Sequence, residues 1–363
     1  MAPSSDFFRD RELAGKLLDR IRSYDGPPVS VMEVCGTHTV AIARMGLRGL
    51  LPPAVTLLSG PGCPVCVTPV KAFDEALWLA ENEKVILATY GDALRVPGTK
   101  KNLAAAKAEG CLIAPVYSAT DALALARKNP GKEVVFLGLG FETTSPTVAH
   151  SLTVAKKEGL KNFSVLSAHK ALMPALEALL LDPAVRIGAF LCPGHASMVL
   201  GSDIYLPVAE KYKVPCVVAG FEPVDVLAGL VMILAQAKEG RAVVENGYPR
   251  AVSAKGNLPA KELLRAAFTL VDAGWRGLGE LPRSGYEPSE EYSEFDARKK
   301  FLKGVEIDSK EPPGCRCAEV LRGIIPPAEC PLFGVACTPE SPVGACMVSS
   351  EGACGAHFRY RGV

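Results

Sequence analysis

The chain has 363 residues, of which 48% are hydrophobic and 22% charged, and its formal net charge at pH 7 is +1. A chain of this length can bury a substantial core, and it predicts two or three domains. Because the net charge is so small, electrostatic attraction gives no reason to expect nucleic acid or an anionic membrane as a general partner.

The first predicted element is an amphipathic helix within residues 1–24, which lacks the pattern of a signal peptide. No apolar run approaches the roughly 18 residues that a membrane-spanning helix needs. We therefore expect a cytoplasmic protein with no membrane partner.

From residue 29 to about residue 240, short apolar runs alternate with stretches of helical periodicity. The predicted strands are 29–34, 55–59, 84–90, 111–117, 133–140, 163–168, 187–192 and 215–220. The predicted helices are 69–81, 101–110, 119–131, 145–159, 172–182 and 223–240. Nearly continuous apolar strands that alternate with helices are typical of parallel sheets covered on both faces.

Two segments within this region resemble each other. Residues 134–149 and 216–229 both run from a strand through Gly-Phe-Glu into a helix start, and Glu142 or Glu222 can accept hydrogen bonds from a helix N-terminus. This similarity favours two similar structural units, although any two strand-to-helix connections can look this similar. Neither segment has a complete G-x-G-x-x-G pattern, so a dinucleotide site is weakly supported.

After residue 241 the pattern changes. A helix is predicted at 259–274, followed by a turn-rich, charged stretch and then by residues 314–362, which have little periodicity. We predict an α/β protein with two similar doubly wound parallel-sheet domains and a mixed, loop-rich cysteine domain. The predicted boundaries are 1–120, 121–240 and 241–363, with the α/β domains possibly discontinuous in sequence.

The chain contains twelve cysteines, and half of them fall within 40 residues near the C-terminus. A reducing cytoplasm argues against a disulfide framework, so metal or redox chemistry is favoured. The intervals lack the two close knuckles of a zinc ribbon, and they suit an iron–sulfur cluster better than zinc. Six cysteines for four ligand positions leave two unassigned: the six are Cys315, Cys317, Cys330, Cys337, Cys346 and Cys354.

Other thiols follow two candidate strands near the N-terminus. The stretch GPGCPVC places Cys63 and Cys66 between a strand and a helix, and CGTH places Cys35 and His38 after the preceding strand. In open α/β sheets ligands bind at such strand ends, and a helix N-terminus favours the thiolate. Together these four side chains predict a site that binds a soft divalent metal or cycles between dithiol and disulfide. Taken singly, Cys35 is expected to be a small buried hydrophobe, and His38 a cap or a satisfied hydrogen-bonding residue.

Weaker candidates lie at other strand ends. His195 in CPGH is either a ligand or a turn residue, and Asp92 with Arg95 either binds an anion or forms a structural ion pair. Cys111 and Cys216 sit within apolar strand patterns and are predicted to be core residues.

The motifs CGTH, GPGCPVC, GDALRVPG, GFET and CPGH, with the tail ECPLFG and GACMVSSEGAC, resemble the HypD family of hydrogenase maturation factors. The resemblance covers about residues 29–360. It implies a scaffold that acts with HypC, on which iron acquires two cyanides and one carbon monoxide, an Fe(CN)2CO unit for nickel–iron hydrogenase. It also implies HypE as the cyanide donor, with HypF upstream, and a monomer that forms a one-to-one complex.

Carried over residue by residue, the family's essential thiols correspond to Cys35, Cys63 and Cys66. Cys315 and Cys346 fall outside the family's ligand pattern for its 4Fe–4S cluster. The positions that match the cluster ligands are Cys317, Cys330, Cys337 and Cys354.

The resemblance suggests a cofactor-assembly scaffold with redox activity rather than a conventional enzyme. In this interpretation Cys35 is an iron ligand or the thiol that contacts HypC, and His38 orients it. Cys63 and Cys66 exchange between disulfide and dithiol, with electrons from the cluster. Two alternatives are a cluster-linked thiol/disulfide oxidoreductase that acts on another protein and a zinc-stabilised binding protein.

Overall fold

The computed structural model describes residues 5–81 and 85–362. The strands are β1 Val29–Glu33, β2 Val55–Ser59, β3 Val85–Thr89, β4 Ile113–Pro115, β5 Glu133–Gly140, β6 Phe163–His169, β7 Ala189–Pro193, β8 Cys216–Ala219, β9 Val244–Asn246, β10 Phe268–Trp275 and β11 Gly279–Pro288. Short 3-10 helices lie at Ser5–Arg9, Leu47–Leu50, Gly91–Arg95, Ser202–Tyr205, Glu290–Phe295 and Pro327–Glu329.

The α-helices cover both faces of the sheets and continue into the C-terminal segment. They are α1 Arg11–Arg22, α2 Gly36–Arg44, α3 Pro64–Val67, α4 Val70–Ala80, α5 Leu103–Ala108, α6 Ala119–Lys128, α7 Ser145–Glu158, α8 Leu172–Leu181, α9 Gly194–Leu200, α10 Leu206–Tyr212, α11 Pro223–Glu239, α12 Leu258–Ala267, α13 Ala297–Phe301, α14 Cys317–Leu321, α15 Ala345–Val348 and α16 Ala353–Arg359. The predicted N-terminal helix corresponds to α1, and residues 1–4 of that prediction lie outside the described residues.

Two parallel sheets form the framework, as the sequence predicts. The first has the strand order β2-β1-β7-β8-β9 and the second the order β4-β3-β5-β6, with every pair parallel. In each sheet the order reverses once, between β1 and β7 in the first and between β3 and β5 in the second. Such a reversal opens a crevice at the carboxyl ends of the strands, where ligands bind.

The two sheets are interleaved along the chain. The first sheet takes its strands from residues 29–59 and 189–246, whereas the second uses 85–169. The boundary predicted at residue 120 therefore falls inside the segment that builds the second sheet. Local patterns locate strands but do not say which strands pair, and this difference arises because β7 pairs with β1 across an entire inserted sheet.

Each sheet buries apolar side chains on both faces, because side chains alternate along a strand. In β1, Val31 packs towards α1, α2 and α11, while Met32 packs towards the face that α8 and α10 cover. In β5, Val135 and Phe136 divide in the same way between two core clusters. This arrangement accounts for the nearly continuous apolar strands in the sequence.

One predicted element differs. The helix expected at 259–274 ends at Ala267, and the residues that follow form β10, which pairs antiparallel with β11. The ends of β10, Phe268 and Trp275, are buried, and the indole Nε1 of Trp275 donates a hydrogen bond of 2.8 Å to the Ser284 hydroxyl. Pairing with the next strand of the hairpin and burial of Trp275 therefore override the helical pattern of this segment.

The cysteine-rich C-terminal segment packs directly on the second sheet. Its helices α14, α15 and α16 have four to seven residues each, and side chains from all three lie in the core cluster that also contains Leu137 and Leu166. No helix among the described residues is long and apolar enough to cross a membrane.

Candidate metal and thiol site

Cys35 lies where β1 ends and α2 begins. It is the N-cap residue of α2, with extended backbone angles, and its side chain is buried. Because β1 pairs with β2, the CGTH loop and the GPGCPVC loop emerge from neighbouring strands, which confirms their predicted adjacency. Gly62 lies so close to Cys35 that a methyl group in its place would overlap the Cys35 backbone nitrogen. The two loops thus contact each other backbone to backbone, and the Gly36 amide donates to the Gly62 carbonyl at 3.2 Å.

The protonation of Cys35 differs from the prediction. The backbone amides of His38 and Thr37 face the sulfur and lower its pKa, as expected at a helix start, but burial outweighs them and raises the pKa to about 11. In these surroundings Cys35 is a neutral thiol at neutral pH. Because a metal binds the thiolate, metal binding at Cys35 must displace this proton.

His38 is buried, and its imidazole points away from the role predicted for it. Its Nε2–H donates a 2.9 Å hydrogen bond to the Gly220 carbonyl, and its ring lies 4.7 Å from the Phe221 ring. Burial lowers its pKa to about 4, so the ring is uncharged at neutral pH. Nδ1 has no hydrogen-bond partner among the described residues. His38 therefore faces Cys35 with its backbone amide, while its ring joins α2 to the loop after β8.

The dithiol pair occupies a short helical turn. Cys63 is the N-cap of α3, and its sulfur accepts a hydrogen bond of 3.4 Å from the Cys66 backbone amide. Cys66 is fully buried, and burial raises the pKa of its thiol well above the ordinary value. Its closest thiol neighbours are Cys63 and Cys346, both within hydrogen-bonding reach. Cys66 thus lies against the C-terminal cysteines.

A cavity of about 190 Å³ lies at the carboxyl ends of both sheets. Cys35 lines it, and so do Gly62 and Pro64 of the second loop. Phe141 contributes from the end of β5 and His195 from the end of β7. The crevice thus sits at the order reversal of the first sheet and faces the corresponding edge of the second.

Polar side chains in this cavity include some that sequence reasoning missed. Glu351 accepts a 2.7 Å hydrogen bond from the Thr37 hydroxyl, which joins the C-terminal segment to the CGTH loop. Thr143 and Thr144 also line the cavity. Thr143 belongs to the GFET motif, Thr144 follows it directly, and Glu351 belongs to SSEGAC, so the motifs pointed to this region, but only the fold brings these residues beside Cys35. His195 lies in α9 and lines the cavity, and its ring stacks on the Phe221 ring with 4.0 Å between the ring centroids.

A second, smaller cavity is lined with sulfur. Its lining includes all six C-terminal cysteines, with Leu332, Phe333 and Met347 closing the apolar side. Cys315 and Cys346, which lay outside the family pattern, are part of this lining. Cys346 lies within hydrogen-bonding reach of Cys317, Cys354 and Cys66, so it joins this cavity to the GPGCPVC loop.

Within the described residues, no three His, Cys, Asp or Glu side chains are placed so as to hold a single metal ion. The predicted convergence of three thiols and an imidazole is therefore not seen: Cys35 lines one cavity and Cys66 contacts the other. The sulfur-lined cavity nonetheless has the donor chemistry of an iron–sulfur site, because thiolates are the ligands of such clusters and the six thiols surround one enclosed space.

The remaining candidates have structural partners. Arg95 donates hydrogen bonds to the carbonyls of Pro339 and Val348, which anchors the C-terminal segment rather than forming an ion pair with Asp92. Glu142 accepts a hydrogen bond from the first amide of α8, which agrees with its predicted use at a helix N-terminus. Cys216 is buried in β8 as predicted, whereas Cys111 precedes β4 and is only partly buried against the core.

The fold and the site together define a class: a two-sheet α/β protein that presents buried thiols at the carboxyl ends of its strands, beside a sulfur-lined cavity. The sequence model of HypD, described as "Hydrogenase formation hypA family", matches residues 12–361. Over 366 residues the chain is 46% identical to the hydrogenase maturation factor HypD of Rhodobacter capsulatus, which spans 98% of this chain and 97% of that protein.

Two further relatives agree. The hydrogenase maturation factor HypD of Azotobacter vinelandii is 47% identical over 365 residues, with 98% of this chain and 96% of that protein covered. The protein of the same name from Escherichia coli K12 is 45% identical over 364 residues, with 98% and 97% covered. This chain belongs to the HypD family of hydrogenase maturation factors.

Proposed function

We propose that this protein acts with a HypC-type partner as the scaffold on which one iron ion receives two cyanides and one carbon monoxide. The finished unit is destined for a nickel–iron hydrogenase, a HypE-type protein delivers the cyanides, and HypF acts upstream. The observation that carries the proposal is the cavity at the strand ends of both sheets, which Cys35 lines with its thiol.

The donor chemistry of this cavity supports iron bound to cyanide and carbon monoxide. These strong-field ligands stabilise low-spin iron(II), which thiolate sulfur binds well. A single thiol does not complete a coordination sphere, and a partner protein that covers the cavity can supply further donors. Thr37, Thr143 and His195 line the same space with polar groups suited to hydrogen-bond cyanide nitrogen.

The Cys63–Cys66 pair supports a redox role beside the iron site. Formation of a disulfide between the two sulfurs releases two electrons and two protons, and reduction takes them up again. The pair lies close to the iron cavity, because the residues on either side of Cys63, Gly62 and Pro64, both line that cavity.

The sulfur-lined cavity fits a 4Fe–4S cluster, for the reason that its donors are buried thiols around one space. A bound cluster supplies single electrons. The chain's own contribution is to exclude water and to hold the thiols, with Cys346 in contact with Cys66. The proposed ligands are Cys317, Cys330, Cys337 and Cys354.

The test is infrared spectroscopy of the protein purified anaerobically with a HypC-type partner. We expect bands from iron-bound cyanide and carbon monoxide in the wild type and none in Cys35→Ala. Cys111→Ala is the matched control, because Cys111 packs at the edge of the second sheet's core, away from the cavity. Full bands in Cys35→Ala would sink the proposal, and retained cluster absorbance in that variant shows that the fold is intact.

The contact between Cys66 and Cys346 favours one second candidate, a cluster-linked thiol/disulfide oxidoreductase that acts on another protein. Such a protein would reduce a disulfide substrate catalytically without a HypC-type partner. Turnover of a protein disulfide by the isolated chain, with no diatomic bands in the complex, would favour this candidate over the scaffold.

A further inference from the structure

A separate cavity of about 330 Å³ lies between the second sheet and the β10–β11 hairpin. The start of α4, the end of β6, both hairpin strands and α13 line it. None of the residues assigned above to the iron cavity, the dithiol or the sulfur-lined cavity is part of this lining. Its volume is within the range of small-ligand pockets.

Lys170 is the unusual member of the lining. Its backbone is fixed on both sides, with its amide donating to the Gly140 carbonyl at 2.8 Å and with a bridge to Gly285 of β11. The residue is only 5% exposed. Among the described residues no carboxylate lies within ion-pairing distance of its Nζ and no hydrogen bond satisfies it. The Trp275 ring, at 6.0 Å from Nζ, is its aromatic neighbour.

The carboxylates closest to Lys170 both face Arg298. Arg298 pairs with Glu75 at 2.9 Å and with Glu287 at 3.5 Å, and it also donates to the Ser167 carbonyl at 2.7 Å. Arg298 carries one positive charge and the two glutamates carry two negative charges. One negative charge is therefore left over, and both carboxylates share the same guanidinium. Lys170 keeps an ammonium without a partner of its own.

Lys170 is largely removed from solvent, but its Nζ is not one of the fully buried polar atoms without a partner, so it opens onto the cavity. An ammonium in such a place needs an acceptor, and the acceptor has to enter through the cavity. Burial and the nearby Arg298 lower the pKa of Lys170 to about 8, so the amine is mostly protonated at neutral pH. His169 also lines the cavity, but burial lowers its pKa to about 3 and its ring adds no charge. On the rim, Asp272 and Glu280 oppose the entry of a bulky polyanion, whereas Lys71 offsets one of them.

We propose that this cavity binds a small oxyanion, a carboxylate or phosphate group, whose oxygen accepts hydrogen bonds from the Lys170 ammonium. The site is independent of iron assembly at Cys35. The bound oxygen supplies the acceptor that the protein leaves out, and the acidic rim restricts the ligand to a small, singly or doubly charged species.

The test is competitive labelling of amines in the wild-type protein with acetic anhydride, read out by mass spectrometry of the peptides. Acetate and inorganic phosphate are the two probes, each compared with chloride at equal ionic strength. At about ten times its Kd an anion leaves about a tenth of the sites free, so labelling of Lys170 should slow about tenfold. Exposed Lys128 on α6 is the internal reference, and its labelling should not change.

Protection by acetate alone assigns a carboxylate ligand, and protection by phosphate alone or by both assigns a more general oxyanion site. Equal labelling of Lys170 with chloride, acetate and phosphate would overturn the proposal and leave a lysine hydrated by water. Equal slowing of Lys170 and Lys128 would also overturn it, because that is an effect of the salt on the reagent.

Lys170→Met provides an independent check, as it keeps the length of the side chain and removes the ammonium. Acetate or phosphate should raise the melting temperature of the wild type relative to chloride and should leave that of Lys170→Met unchanged. An equal rise in both proteins contradicts the proposal. If the variant does not fold, the labelling of the wild type decides alone.

Discussion

Cys35 and Glu142 are buried acids at the ends of parallel strands, and neither has a cationic partner among the residues described. Burial disfavours the charged form of each, which raises the pKa of Cys35 to about 11 and that of Glu142 to about 7. Glu142 is held by two donors, the Leu172 amide at 3.1 Å and the Tyr286 hydroxyl at 3.2 Å. At this scale, desolvation outweighs the helix termini that the sequence places beside both groups.

The raised pKa of Glu142 predicts a pH-dependent stability. The group has an ordinary pKa of 4.5 in the unfolded chain, so its contribution is complete below pH 4.5 and is lost as the pH rises through about 7. Replacement of Glu142 by Gln removes this titration. Between pH 4.5 and 7 the free energy of unfolding of the wild type should fall by about 3 kcal/mol relative to Glu142→Gln.

Chemical denaturation at a series of pH values measures this difference. The exposed carboxylate of Glu290 provides the control, since Glu290→Gln should follow the wild-type profile. Parallel profiles for the wild type and Glu142→Gln would show that Glu142 titrates normally.

The cysteines of the C-terminal segment provide a second prediction for single residues. If Cys330 is a cluster ligand and Cys315 is not, Cys330→Ala should lose the visible absorbance and most of the iron and sulfide, whereas Cys315→Ala should keep them. Chemical analysis of iron and sulfide per chain, after anaerobic purification, measures both. Equal loss in the two variants would mean that Cys315 is a ligand, which its position in the same cavity allows.

At the scale of elements, the two thiol-bearing loops can touch only because glycine, which has no side chain, lies at their contact. Gly62 packs on the backbone of Cys35, and Gly36 packs on Glu351, whose Cβ lies 2.6 Å from the position that a methyl group on Gly36 would occupy. Backbone atoms cannot rotate away as a flexible side chain does. The glycines of CGTH and GPGCPVC are therefore needed for the two loops and the C-terminal segment to meet.

Gly62→Ala should destabilise the protein by about 1–3 kcal/mol, because the added methyl group overlaps the Cys35 backbone and separates the loops. The same variant should lose iron loading in the infrared assay. Gly49→Ala is the matched control, since no atom lies within 4 Å of the added methyl group there. Unchanged stability and loading in Gly62→Ala would show that the loops accommodate the methyl group.

The β10–β11 hairpin is the element for which the sequence-based prediction was wrong. Its first strand, β10, follows α12 without a break, and the helical pattern of the segment continues for several residues beyond Ala267. Pairing with β11 and burial of Trp275 decide its conformation. The cavity that contains Lys170 exists only because this hairpin covers the end of β6.

At the scale of the whole molecule, the chain builds part of one sheet, inserts the other and then returns. This path brings the carboxyl ends of both sheets to one cavity, and the C-terminal segment closes it through Glu351. The same segment shares the core of the second sheet. The molecule therefore holds its cysteine-rich segment through packing as well as through any bound cluster.

If the proposed cluster is bound, removal of its iron with a chelator should loosen the C-terminal segment while the sheets persist. Amide hydrogen exchange should increase within residues 315–354, whose helices are short, and should not change in β5 and β6, which are almost entirely buried. Exchange measured by mass spectrometry with and without chelator tests this. Chelator-treated Cys330→Ala serves as the control, and unchanged exchange in the segment would mean that packing alone holds it.

The sequence by itself determined the features that depend on neighbouring residues. The alternation of strands and helices from residue 29 to 240, the parallel character of the sheets, and the adjacency of Cys35 to GPGCPVC all follow from local periodicity and from thiol-bearing motifs at strand ends. The family resemblance rested on the same short motifs, and the comparisons confirm it.

Only the tertiary structure decided which strands pair, where the chain leaves one sheet for the other, and which thiols meet. It brought Cys346 against Cys66 and Glu351 against Thr37, across more than 270 residues of chain in each case. It also decided the protonation of Cys35, His38 and Glu142. The physical reason is common to all of these: strand pairing and desolvation depend on atoms that are distant in sequence, and periodicity within one segment carries no information about them.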